Sequence, residues 1–235
     1  MPAILRVLLL LVLPVLSPLL PAMARAEGCG PAPGEPQVEV RLETQATKLD
    51  RGRGLRALID DPSFAHLRSD AFPYTLGVTQ MSLAGGLNMN ISGDPRDGGT
   101  YCWSAKSIEI SLRASNTVYI AGEIPRDGCL WREVRQHEDR HVAVNRAFFP
   151  RLAELIRPAL LDISRRTISA SSADAAKAFF GKAVNDAIDA AQRDFEAAIN
   201  EYHGDIDTPE EYGRVSNACG ETEMRAILTR AGLLR

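Results

Sequence analysis

From Leu130 to Leu155 the apolar residues of this chain recur at intervals of four and three, and two positions of that stripe are histidines. Leu130, Val134, His137, His141, Val144, Phe148, Leu152 and Leu155 line one face of an α-helix. The spacing predicts a single long helix from Cys129 to Ile156, ended by Pro158, with both imidazoles on its buried side. An unpartnered imidazole there is costly, so the two rings need partners. Hydrogen bonds within a core would satisfy them. Their spacing favours a metal instead, because residues i and i+4 project together, close enough to share one ion.

The five residues read His137-Glu138-Asp139-Arg140-His141, the pattern H-E-x-x-H. Zinc is the expected ion. Glu138 points slightly aside from the two ligands, where a carboxylate acts as catalytic base toward a metal-activated water. Zinc sites need more than two protein ligands. His203, at the end of the next predicted helix, is the first candidate for the third, with Asp207 and Glu210 the alternatives. Tyr202 and Tyr212 are candidate hydrogen-bond donors to an oxyanion, although Tyr202 is more simply a core residue.

The surrounding pattern is α+β: a small, mainly antiparallel sheet followed by long helices. Gln37–Glu43 alternates apolar and polar residues as a strand does, and further strands are predicted over 74–81, 87–91, 100–112 and 117–124. A short helix is expected within 55–69. A second long helix spans Ser172 to His203, with Phe180, Val184, Ala187, Ala191, Phe195, Ala198 and Tyr202 along one side. A third starts at Asp207-Thr208-Pro209-Glu210-Glu211, with Thr208 as N-cap, Pro209 in the first turn and Glu211 closing a capping box.

The N-terminus has the order of a secretory signal: one basic residue, an apolar run from Val7 to Leu20, then Ala24-Arg25-Ala26. Residues 1–26 are therefore expected to be removed, leaving 27–235 as one domain: a flexible leader (27–36), a β-rich part (37–124) and a helical part (129–235). The product would be secreted or periplasmic, without a membrane anchor. Removal takes Arg6 and Arg25 and no acid, so the net charge of −3 becomes more negative, which argues against nucleic acid as a partner. Four cysteines in an exported chain predict two disulfides. Of the three connectivities, Cys102–Cys129 with Cys29–Cys219 is preferred, the first tying a strand to the start of the histidine helix.

Taken in order, the export signal, the β-rich region, Val118-Tyr119-Ile120-Ala121, Cys129 and then His-Glu-x-x-His-Val resemble the predicted secreted zinc-dependent proteases of bacteria. The later Asp207-Thr208-Pro209-Glu210-Glu211-Tyr212, followed by Cys219, adds to the likeness, which covers most of 74–219. The resemblance implies a zincin-like fold and a metallopeptidase acting on a peptide or protein substrate. In such enzymes a strand beside the active-site helix pairs with extended substrate, and Thr117–Ile124 is the expected strand. The competing expectation is a non-catalytic envelope protein with a structural or vestigial zinc site.

Overall fold

A computed structural model describes residues 29–67 and 74–234. The expected signal peptide, residues 1–26, lies outside the described residues. The elements are β1 (Gln37–Thr44), β2 (Lys48–Asp50), α1 (Leu55–Asp60), β3 (Gly77–Pro95), β4 (Tyr101–Ile120), α2 (Cys129–Ser164), β5 (Thr167–Ala170), α3 (Ala173–Ile206), α4 (Pro209–Asn217) and α5 (Glu221–Arg230). The class is α+β, as expected.

The sheet is built on one long hairpin. β3 and β4 pair antiparallel along their whole length and turn at Gly98 and Gly99, whose φ values of 79° and 78° suit glycine. The expected breaks at Gly85-Gly86 and Ser115-Asn116 are absorbed by this pairing, because Gly85 meets Leu112 and Asn116 meets Met81. β5, β1 and β2 then share the other edge of β4 end to end, at 101–104, 107–114 and 117–119. β1 and β2 run parallel to β4, which corrects the mainly antiparallel expectation: the sheet is mixed. Parallel pairing requires a crossover, and the chain makes it through α1 and the following turn to reach β3 on the far edge.

α2 runs on past Pro158, which was expected to end it. Pro150 and Pro158 lie inside the helix on its exposed side, as do Arg146 and Glu154, the residues whose carbonyls lose a donor. Water can satisfy those carbonyls, while Leu160 and Ile163 beyond Pro158 remain packed in the core. The buried stripe also shifts. Leu155 is exposed and Ile156 fully buried, because past Asn145 the helix is packed by the sheet on one side and α3 on another. Here Phe149, Leu152, Ile156 and Leu160 meet Ile108, Ile110, Phe180 and Phe195. Each such side chain contributes about 1.5–3 kcal/mol by leaving water. A second cluster gathers Leu55, Leu58, Val118, Ile120, Leu130, Val134 and Ile227 around the first turns of α2. The two histidines lie on α2 between Val134 and Val142 of this second cluster.

The disulfides are Cys29–Cys102 and Cys129–Cys219, overturning the preferred pairing. Cys102 opens β4 and Cys129 follows its far end. Eighteen strand residues at roughly 3.3 Å each put Cys102 some 60 Å from Ile120, and the nine residues from there to Cys129 can reach back only about 30 Å, where a disulfide needs Cα atoms within about 7 Å. The first bond pins the leader, which was expected to be flexible, and Gly30 and Pro33 also accept hydrogen bonds from Thr167 and Lys106. The second fastens the start of α2 to the end of α4. Among the described residues, no helix is long and apolar enough to cross a membrane.

Candidate metal centre

Three elements converge on one point. α2 brings His137 and His141 one turn apart, both buried. α3 ends at Asp207, whose backbone N–H closes the last turn on His203, and Thr208 at once caps α4 by accepting from the Glu211 N–H. This tight junction aims Asp207 at the α2 histidines. His137 Nε2 and His141 Nε2 are 3.2 Å apart, and Asp207 Oδ1 lies 3.2 Å from the first and 3.1 Å from the second. Ligand atoms about 2.0–2.1 Å from a tetrahedral zinc are themselves roughly 3.3 Å apart. The triangle would fit such an ion, and the cleft opens in front of it.

His203 does not join the triangle. Its Nδ1 lies 2.9 Å from Nδ1 of His141, on the side of that ring facing away from Asp207, and its Nε2 meets Asn145 Oδ1 at 3.0 Å. The residue read first as a ligand stands behind one, and the alternative, Asp207, takes the corner. Burial, helped by the neighbouring His141, pulls the His203 imidazole down to about 4, so it is neutral at pH 7. Glu210 is exposed and is not one of the groups that come together here.

The neighbouring Glu211 is the residue the sequence did not single out. Read there as a capping-box partner, its carboxylate instead reaches His137 Nδ1 at 3.4 Å and is clamped by Arg140 and Arg214. The Arg214 hydrogen bond, against burial and with Arg140 assisting, holds Glu211 at about 2. A carboxylate behind a ligating histidine fixes its ring and raises its basicity. The signal for it, an acid beside the candidate ligand pair Asp207 and Glu210, was legible only as a helix start.

Glu138 is 3% exposed, and burial raises its carboxyl above the usual range. Thr79 on β3 donates to its Oε2 at 2.8 Å. Burial is also the largest influence on His137 and lowers its pKa, but Asp207, Glu138 and Glu211 together carry it above its ordinary value. Asp207 is held far below the usual carboxylate range: burial opposes this, and the hydrogen bonds from His137 and His141 override it. Tyr212 donates to Asp207 and packs against the His137 ring at 5.8 Å, while Tyr202 is exposed and packs on Phe148.

A cleft of about 810 Å³ opens on this centre, bordered by Leu76–Met81, Ile199, Tyr212, Val215 and Met224. The strand beside the helix is therefore the start of β3, not Thr117–Ile124. Residues 117–119 are held between β2 and β3, and the strand ends at Ile120, whereas β3 pairs on one side alone among the described residues. A second cluster, Cys129, Cys219 and Glu223, offers no thiolate because its sulfurs are bonded to each other. Comparisons with protein-family models, with curated proteins and with solved structures give no match to this chain.

Proposed function

We propose that this chain is a zinc-dependent hydrolase, a metallopeptidase, secreted or periplasmic and allied to the predicted secreted zinc-dependent proteases of bacteria with a zincin-like fold. The observation that carries the reading is the near-equilateral triangle of His137 Nε2, His141 Nε2 and Asp207 Oδ1 with the buried Glu138 beside it at the cleft. Zinc held by these three side chains supplies a Lewis acid that acidifies water and polarises a carbonyl.

The remaining work falls to the chain's own groups. Glu138 is the general base. Thr79 fixes its Oε2, leaving Oε1, which lies against Gly77, to accept a proton and pass it to the leaving amine. A carboxyl whose pKa is raised by burial is better matched to that task at neutral pH than a surface glutamate. The edge of β3 at its start, Gly77–Met81, is unpaired among the described residues, borders the cleft and suits an extended peptide, which adds to a sheet edge through its backbone. Two disulfides suit an oxidising compartment outside the cytosol.

The test is hydrolysis of an unstructured protein substrate by the zinc-loaded, disulfide-intact chain, beside its Glu138→Gln variant. The variant should retain zinc and lose turnover by at least about 100-fold. Equal turnover would remove Glu138 from the mechanism. Zinc binding without turnover in the wild type would favour a structural site instead.

A further inference from the structure

Behind the triangle runs a buried chain of hydrogen bonds that ends on the outer nitrogen of His141. Asn116 on β4 accepts at Oδ1 from Nδ2 of Asn145, 2.7 Å away. Asn145, one turn beyond His141 on α2, thereby turns its own Oδ1 toward His203 Nε2 at 3.0 Å. An amide oxygen can only accept, so His203 donates to it from Nε2, and a ring with a single N–H then presents a lone pair at Nδ1. That lone pair faces His141 Nδ1 at 2.9 Å, which requires the proton of His141 to be on Nδ1. When a cation takes the place of the proton that pairs His141 Nε2 with Asp207, the ring's remaining proton stays on Nδ1 and Nε2, the atom that meets His137 and Asp207, is left bare.

We propose that His203 is a positioning residue that, with Asn145 and Asn116, locks His141 in the tautomer able to bind the metal. The proposal rests on the metal-centre reading given above. Its polarity carries the argument. With the Asn145 amide reversed, Nδ2 would donate to His203, His203 would donate from Nδ1 to His141, and His141 Nε2 would carry the proton and repel a cation. The two asparagines are 1% and 2% exposed, so bulk water does not compete for the bond between them, while His203 is half-buried. The relay ends at Asn116, whose Nδ2 has no hydrogen-bond partner among the described residues. The two ligating histidines thus have unlike supports: a clamped carboxylate behind His137 and an imidazole behind His141.

The test uses the full chain with its disulfides intact. Two-bond proton–nitrogen correlation spectra of the zinc-loaded protein should show His141 protonated at Nδ1 and His203 at Nε2. Zinc affinity, read by chelator competition, should fall by about 10–100-fold in His203→Ala. His203→Asn should recover most of it, because its Oδ1 comes close to where Nδ1 stood and accepts the same proton. The cobalt-substituted wild type and both variants should share band positions and intensities, since the ligand set is unaltered. A cobalt spectrum that loses a nitrogen ligand in His203→Ala would make His203 a ligand and overturn the proposal, as would a His203 protonated at Nδ1. Zinc uptake by the wild type with equal affinity in His203→Ala defeats the relay alone. A wild type that takes up no zinc defeats the metal centre, and the relay with it. The spectra of the unmutated protein decide the matter even if a variant fails to fold.

Discussion

Gly77 and Glu138 are packed so closely that a methyl group on the glycine would stand 2.9 Å from the Glu138 Oε1 and 2.6 Å from Val134 Cγ1. The first residue of β3 is thus small because the Glu138 carboxylate needs its space. Gly77→Ala should push the carboxylate aside without touching the three metal-binding side chains. A misplacement of about 1 Å lowers turnover by about 100-fold, and the overpacking destabilises by about 1–3 kcal/mol. Kinetics and thermal melting, with zinc content measured in parallel, check this. Unchanged turnover would show that Glu138 Oε1 needs no such room.

Much of this site was legible in the sequence, and what was not has a common cause. The stripe on α2 follows from local periodicity and put His137 and His141 on the buried face where they are found. Thr208 capping α4 was legible for the same reason, since the capping bond spans three residues. The disulfide pairing depended on the length of β4, which the apparent breaks in both long strands concealed. Which acid takes the third corner depended on the angle between α3 and α4. A helix-start pattern names Asp207, Glu210 and Glu211 without saying which points inward. Pro158 misled because the cost of a proline inside a helix depends on whether the freed carbonyl reaches water.

Asp207 is the corner contributed from outside α2, and its removal tests the triangle. Asp207→Ala should weaken zinc binding by at least about 100-fold, more than any change behind a ligand. It also takes away the acceptor for Tyr212. Chelator competition measures the loss. Binding within a few-fold of wild type would mean that a different residue completes the site.

Glu211→Ala should act more gently. His137 keeps its place on α2 but loses the carboxylate behind it, and Arg140 and Arg214 lose their shared partner. Zinc affinity is expected to fall by about 10–100-fold with the ligand set unchanged. Titration of the metal into both proteins distinguishes this from loss of a ligand, and equal affinities would leave Glu211 a purely structural clamp.

The pH dependence has a definite sign. In the metal-free protein the His137 pKa is raised, so its stabilising pairing with Asp207 is fully present below the ordinary value of 6.5 and is lost as pH rises through the raised value. Asp207, depressed, gives stability above its ordinary 3.8 that is lost only as pH falls toward its depressed value. Zinc must displace the His137 proton, so binding strengthens as pH rises. The gain in melting temperature on adding zinc should therefore widen between about pH 5 and pH 8. A gain that is flat or shrinks over that range would contradict the assignment of His137 as a ligand.

The central claim is that His137, His141 and Asp207 hold one metal ion. Its most direct test is elemental analysis of the disulfide-intact protein after dialysis, beside His137→Ala, His141→Ala and Asp207→Ala. The account predicts close to one zinc per wild-type chain and its loss in all three variants. No stoichiometric metal in the wild type, even after zinc is offered back, would contradict it.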